Sequence, residues 1–282
     1  MNSRSRSEAR RCRPLLGTFV ENTASGLPEE KLQHAFNAAF AAVERIQRLM
    51  SAHDAESELS LLNRDAARHA VTVSAETFAV LRLADRLASE SAGAFDYTIA
   101  PTLVRWGYRS GSLQRREPHG FRFVALRRGR QVRFLRPLAL DLGGIAKGYA
   151  VDAAIETLAT FGVTAALVNA GGDLRVFGPQ PSTIHLRHPA APQTFAHAIQ
   201  LQQGALATSS PCFTEKDWCD RRVSHLVNPL RPDAAVTGGV SVSVRARECW
   251  LADALTKVVL NAPRRAETLL RKYDAEAFML TT

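Results

Sequence analysis

Apolar residues recur at helical spacing early in the chain. Leu32, Phe36, Phe40, Val43, Ile46 and Met50 fall on one face, which predicts a helix over 27–50. Pro28 sits near its first turn, and Glu29 and Glu30 favour that end of the helix dipole. Ser74 is a good N-cap for a second helix reaching Ser91, with Phe78, Leu81, Ala84, Leu87 and Ala88 inward. A third follows the Gly143-Gly144 turn, with Val151, Ala154, Ile155, Leu158 and Phe161 on one face and Gly162 as its stop. Trp250 to Leu260, and the segment from Pro263, predict two more. Short apolar or alternating runs predict strands at 15–23, 137–140, 165–170, 183–188, 195–202, 205–209, 240–246 and 276–280. Residues 121–135 read as a hairpin turning at Gly129, 51–63 as a polar loop with a helical turn, and 109–118 as a basic loop. Strands and helices do not alternate strictly. The expected fold class is therefore α+β, with largely antiparallel sheets and one main unit over 14–282.

Composition narrows this picture. The chain has 282 residues, 46% of them hydrophobic, enough to bury a full core. No apolar run approaches the roughly 18 residues of a membrane span. Residues 1–13 are polar and Arg-rich, without an apolar stretch, and are expected to be a disordered basic arm rather than a signal peptide. A cytoplasmic location is the expectation that follows. The net charge of +9 is local: 1–13 carries five Arg and one Glu, and 105–136 carries ten Arg and one Glu, leaving the remainder near −4. The aromatic interleaving of a nucleic-acid platform is thin here, so a solvated Arg-rich hairpin is expected and no nucleic-acid partner. Cys12, Cys212, Cys219 and Cys249 form no C-x-x-C pair, which leaves zinc without its usual ligand spacing and favours free thiols.

The chemistry gathers around residues 140–152, Leu-Asp-Leu-Gly-Gly-Ile-Ala-Lys-Gly-Tyr-Ala-Val-Asp. Gly143 and Gly144 permit positive φ and close backbone approach to a ligand. A helix N-terminus behind a glycine turn suits an anion, and Lys147 in the first turn opposes the dipole unless an anion lies beside it. A tight strand-to-helix turn is the other reading of the same spacing. Asp141 and Asp253 are carboxylates of the kind that hold Mg²⁺ against phosphates, although Asp253 equally suits a helix N-terminus. Phe95 and Tyr97 offer rings to a flat ligand or to the core. His225 is a candidate base near neutral pH, or a structural histidine.

Several stretches resemble one family in order along the chain. Leu16-Gly17-Thr18 resembles its opening M-G-T, and residues 57–63, Ser-Glu-Leu-Ser-Leu-Leu-Asn, its S-E-L-S-x-L-N. Residues 93–107 resemble G-A-F-D-x-T-x-x-P-L-v-x-x-W-G, and the central stretch resembles D-L-G-A-I-A-K-G-Y-A-V-D. Asn169-Ala170-Gly171-Gly172-Asp173 resembles N-x-G-G-D, Ser224-His225-Leu226 resembles S-H-I, and Ala252-Asp253-Ala254-Leu255 resembles A-D-A-L-S-T. On these motifs the chain resembles the ApbE family, the FAD:protein FMN transferases.

That resemblance implies an ApbE-like fold and an enzyme that binds FAD and Mg²⁺. It implies transfer of FMN to a Thr or Ser hydroxyl of an acceptor protein, with release of AMP. Carried over by motif position, Leu16, His53, Ala94, Phe95, Asp96, Asp141, Lys147, Gly171, Gly172 and Leu226 would contact FAD. Gly144, Asp253 and Thr256 would hold the metal, and His225 would activate the acceptor hydroxyl. The family also implies a periplasmic location as the alternative. Four departures stand out: Leu16 for Met, His53 where an aromatic Tyr is common, Asn228 for Asp, and Lys257 where the family has the Thr of A-D-A-L-S-T. An ammonium cannot ligate Mg²⁺. Either Thr256 supplies that oxygen, or Lys257 itself meets the pyrophosphate.

Overall fold

A computed structural model describes residues 8–110, 120–191, 193–231 and 234–282. Seven strands form one sheet in which every neighbour is antiparallel. Their order is Ala9–Leu15, Thr18–Ser25, Ala165–Ala170, Asp173–Phe177, Gly204–Ser209, Val240–Ala246 and Glu276–Thr281. The helices described are α1 (Glu29–Met50), α2 (Glu58–Asp65), α3 (Ala75–Glu90), α4 (Ala100–Arg105), α5 (Ala146–Thr160), α6 (Cys249–Asn261) and α7 (Pro263–Lys272). This is the expected α+β class.

The predicted apolar faces become the core. Leu32, Phe36, Phe40, Val43, Ile46 and Met50 of α1 are all buried, together with Val151, Ala154, Ile155 and Leu158 of α5. Helix α5 packs between α1 and α6, and α6 covers the middle of the sheet. Alternation along Asp173–Phe177 divides its side chains between two faces. Asp173 and Arg175 face α5, where they meet Lys147 and Asp152. Leu174 and Val176 face the opposite way, onto Leu186, Ile199 and Leu201 of the hairpin formed by Ser182–Arg187 and Phe195–Leu201.

Some expectations change. Residues 9–13 are not a disordered arm: they belong to the edge strand Ala9–Leu15, paired residue by residue with 18–24. Residues 1–7 lie outside the described residues. The strand expected over 15–23 is two strands joined at Leu16-Gly17, both with positive φ. Residues 51–63 contribute a full helix, α2, capped by Ser57, whose side chain accepts the Ser60 N–H. Residues 138–140 are buried while Pro137 is exposed, and the stretch joins no sheet; the Asn63 side chain takes the place of a neighbouring strand, accepting Leu140 N–H at 2.7 Å and donating to Leu140 O at 3.0 Å. That satisfies the buried backbone as a ladder would. Phe161 is exposed, because α5 ends there and Gly162 (φ +81°) turns the chain away. The hairpin around Gly129 pairs Val124–Arg127 with Gln131–Phe134 as expected. Most of the basic loop expected over 109–118 lies outside the described residues. The four cysteines are free thiols.

Candidate functional site

The site lies where α5 and α6 start over the sheet. Two contacts set the spacing of these helices. Gly148 of α5 approaches α6 so closely that a Cβ there would lie 2.5 Å from Cys249 O. Buried Asp152, one turn on, accepts the first N–H groups of α6, from Cys249 and Trp250, both at 2.9 Å. Arg175 donates to the same carboxylate at 2.8 Å. Burial pushes Asp152 up to about 6, against these N–H groups and Arg175, which hold it down. A carboxylate on the orphan N–H groups of a helix is a cap supplied from a distant element.

A cavity of about 910 Å³ opens between this helix pair, the sheet and the hairpin at 182–201. That suits a ligand of dinucleotide size. Its wall includes Ala94, Phe95, Asp96, Asp141, Gly144, Lys147, Gly171, Gly172, His225, Leu226 and Asp253. Residues expected from five separated motifs thus meet at one place. The Asn261 side chain at the end of α6 ties two of these stretches together, donating to Ala94 O at 2.9 Å and to Val227 O at 3.4 Å.

Three expected residues stand apart from the cavity wall. Leu16 sits in the hairpin turn with its N–H donated to the Gln47 side chain at 2.6 Å. His53 lies behind Arg109, with Nε2 2.9 Å from a guanidinium nitrogen. Thr256 is fully buried, its hydroxyl bonded to Asp253 O and to Ser209 Oγ. Tyr97 points into the core, its hydroxyl donated to Asp85. Arg109, which sequence reasoning left inside a basic loop, reaches into the site and pairs with Asp141 at 2.8 Å. Its only sequence signal is its place shortly after the Trp106-Gly107 motif.

Gly143 and Gly144 do not adopt the positive φ expected of them. Their use is the missing Cβ: at Gly144 it would stand 3.3 Å from Lys257 Cε. The conflict expected between Lys147 and the α5 dipole is answered within the protein, by Asp173 at 2.8 Å. Burial alone would lower Lys147, but the Asp173 and Asp253 carboxylates outweigh it and raise it, so the ammonium is retained. Asp96 is pushed up to about 6 by burial, although the Thr98 hydroxyl and N–H hold it down.

His225 stands at the cavity with Nδ1 2.6 Å from Thr214 Oγ1. That hydroxyl donates to Pro211 O at 3.1 Å, so its oxygen accepts Nδ1–H and Nε2 keeps the lone pair. Burial in the recess, then the Lys257 and Lys147 ammonium groups, depress the imidazole to about 4. The ring edge is exposed to the cavity solvent, which screens part of that depression.

The residues expected to hold Mg²⁺ do not fit a divalent cation as they are placed. Lys257 Nζ bonds both Asp253 Oδ1 and Asp253 O, the latter at 3.0 Å. Asp253 Oδ2 accepts Gly148 N–H at 3.3 Å. The Lys257 stem fills the space beside Gly144, and the Thr256 hydroxyl faces the core. Among the described residues, no group of three or more His, Cys, Asp or Glu side chains is arranged to hold a metal ion. The cavity does fit a flavin dinucleotide in size, in its glycine-lined wall and in its cationic groups.

Comparison with known proteins bears on this geometry. The model of the ApbE family matches residues 16–279. The chain belongs to the ApbE family. A Vibrio cholerae protein named FAD:protein FMN transferase is 27% identical over 230 residues, covering 76% of this chain and 69% of its own. A Klebsiella pneumoniae protein of the same name is 27% identical over 257 residues, covering 86% and 80%. The crystal structure of the ApbE protein of Thermotoga maritima superposes with a TM-score of 0.85 at 26% identity, covering 97% of this chain and 94% of that one. The apo flavinyl transferase ApbE of Pseudomonas stutzeri shares the fold, with a TM-score of 0.83 at 21% identity. Like those structures, this ApbE-family chain combines helices with antiparallel sheets in one unit. Among the described residues, no helix is long and apolar enough to cross a membrane.

Proposed function

We propose that this chain is an FAD:protein FMN transferase, moving FMN from FAD to a Thr or Ser hydroxyl of an acceptor protein and releasing AMP. The observation that carries the reading is one cavity that gathers His225, whose Nε2 has no hydrogen-bond partner among the described residues, and the two ammonium groups of Lys147 and Lys257. The acceptor hydroxyl oxygen attacks the phosphorus on the FMN side of the pyrophosphate. Its proton passes to His225 Nε2, the bond to the AMP phosphate breaks, and AMP leaves with that electron pair on its oxygen. The cations stabilise charge that builds on the phosphate oxygens, and positioning supplies much of the rest. No step runs through a divalent cation, because Lys257 holds the carboxylate such an ion would need.

The test is incubation of the purified chain with FAD and an acceptor protein that one of the named relatives flavinylates, with that relative as control. Covalent flavin on the acceptor and AMP in equal amount support the reading. An acceptor left unmodified here but modified by the relative overturns it. AMP and free FMN formed without acceptor assign the cavity to FAD hydrolysis instead.

A further inference from the structure

We propose that the Lys257 ammonium replaces a divalent cation in this chain, so that the pyrophosphate of FAD is held without metal. The inference rests on the reading of the cavity as an FAD site.

Asp253 is 1% exposed and the Lys257 side chain 18%, so the pair lies at the boundary between protein and cavity. The described contacts use two of the three Nζ donors, on Asp253 Oδ1 and Asp253 O. The third is left for an oxygen of a ligand in the cavity that Lys257 lines. The second carboxylate, Asp173, is matched in the same way by Lys147. Both buried acids therefore carry their own cation before any ligand arrives. A divalent ion entering here would have to displace an ammonium from Asp253 while facing a second one nearby. Ammonium binding to phosphate is an ordinary point-charge interaction. The i,i+4 spacing on α6 makes the arrangement a property of the helix: Lys257 stands one turn beyond Asp253 and reaches back to its carboxylate and its carbonyl.

The test is calorimetric titration of FAD into the full chain, once with EDTA and once with excess Mg²⁺. It is run on the wild type, Lys257→Thr and Lys257→Met, with circular dichroism to confirm that each is folded. The wild type is expected to bind FAD with the same affinity in both solutions. Lys257→Thr opens Asp253 and adds a hydroxyl oxygen. Its affinity is expected to fall about tenfold or more in EDTA, and to recover with Mg²⁺. Lys257→Met is expected to lose affinity in both solutions. Wild-type binding that weakens about tenfold in EDTA overturns the proposal while leaving the FAD reading standing, as does an equivalent of divalent metal in elemental analysis of the purified protein. The wild-type arms decide the question even where a variant fails to fold. Absence of FAD binding by the wild type in either solution overturns the FAD reading itself, and this inference with it.

Discussion

The Tyr108 hydroxyl lies 2.5 Å from the carbonyl oxygen of Thr214, and it holds the support of His225 from behind. The same hydroxyl is 3.0 Å from Val223 O, two residues before the histidine. The single Tyr108 hydroxyl proton thus serves two carbonyls that flank the histidine's support, Thr214 O being the nearer, while the Thr214 side chain fixes the tautomer of the ring. Thr214→Val removes the acceptor of Nδ1–H and frees the ring to turn. Turnover is expected to fall about 10- to 100-fold, the range for loss of a group that orients a catalytic histidine, with little change in FAD affinity. Thr214→Ser should recover most of the rate. Single-turnover flavinylation set beside FAD calorimetry separates these effects; equal losses in binding and rate would mean that Thr214 only shapes the cavity.

The depressed imidazole gives transfer a pH signature. Burial and the two lysines disfavour the imidazolium, so His225 remains a neutral base well below the usual histidine value of about 6.5. The acid limb of kcat/KM is expected between about 4 and that ordinary value, with activity flat above it. Removing a neighbouring cation relieves repulsion of the imidazolium. Lys257→Met should therefore move the limb upward, towards neutrality. His225→Gln should lower turnover by about 100-fold or more while FAD still binds. A limb that stays put in Lys257→Met would show that the ring does not sense that ammonium.

Much of the site was legible because its wall comes from short stretches in which the chemistry and the turn are adjacent. Gly93 to Asp96, Asp141 to Lys147 and Asn169 to Asp173 each bring their glycines and polar groups as one piece. The helices were legible because their apolar stripes are regular. What the sequence hid are pairings across the chain. Lys147 reads as an unanswered cation until Asp173 arrives from a neighbouring strand. Residues 137–140 read as a strand because they are apolar and short, and nothing local reveals that an asparagine side chain replaces the neighbour. The edge strand at 9–15 was hidden by its charge: its arginines sit on an exposed edge, where polar residues are no obstacle to pairing. Lys257 was visible as a substitution, but its direction was not; α6 had to place it one turn from Asp253.

Asp152 gives a prediction on stability. Asp152→Ala leaves the Cys249 and Trp250 N–H groups and Arg175 without their acceptor. Loss of such a buried charged acceptor costs about 2–4 kcal/mol at neutral pH, and a drop of several degrees in Tm is expected. The pH dependence has a definite sign. The folded value of about 6 exceeds the ordinary aspartate value of about 3.9, so the folded state keeps its proton longer. That contribution is complete below about pH 4 and is lost as pH rises through about 6. The wild type's margin over Asp152→Ala should narrow over that window, as denaturant melts at pH 4, 5, 6 and 7 would read. A margin that widens instead would mean that the ion pair with Arg175 dominates burial.

Gly148→Ala tests whether the spacing of α5 and α6 sets the site. The added Cβ would lie 2.5 Å from Cys249 O and 2.7 Å from Trp250 Cα, both backbone atoms. No rotamer change relieves that overlap, so α6 must move as a body or α5 must give way. Intrinsic helix propensity alone would make the substitution favourable by up to about 1 kcal/mol, since alanine is the better helix former. Overpacking against backbone works the other way and typically costs about 1–3 kcal/mol. The clash wins here, because the helices are also tied by Asp152 and by the Gly148 N–H donated to Asp253. The variant is expected to melt lower and to bind FAD more weakly, since Asp253 and Lys257 ride on α6 while Lys147 rides on α5. A double-mutant cycle with Lys257→Met distinguishes the two losses. If Gly148→Ala weakens binding by displacing Lys257, its effect on affinity should largely vanish in the Met background, while its effect on Tm persists.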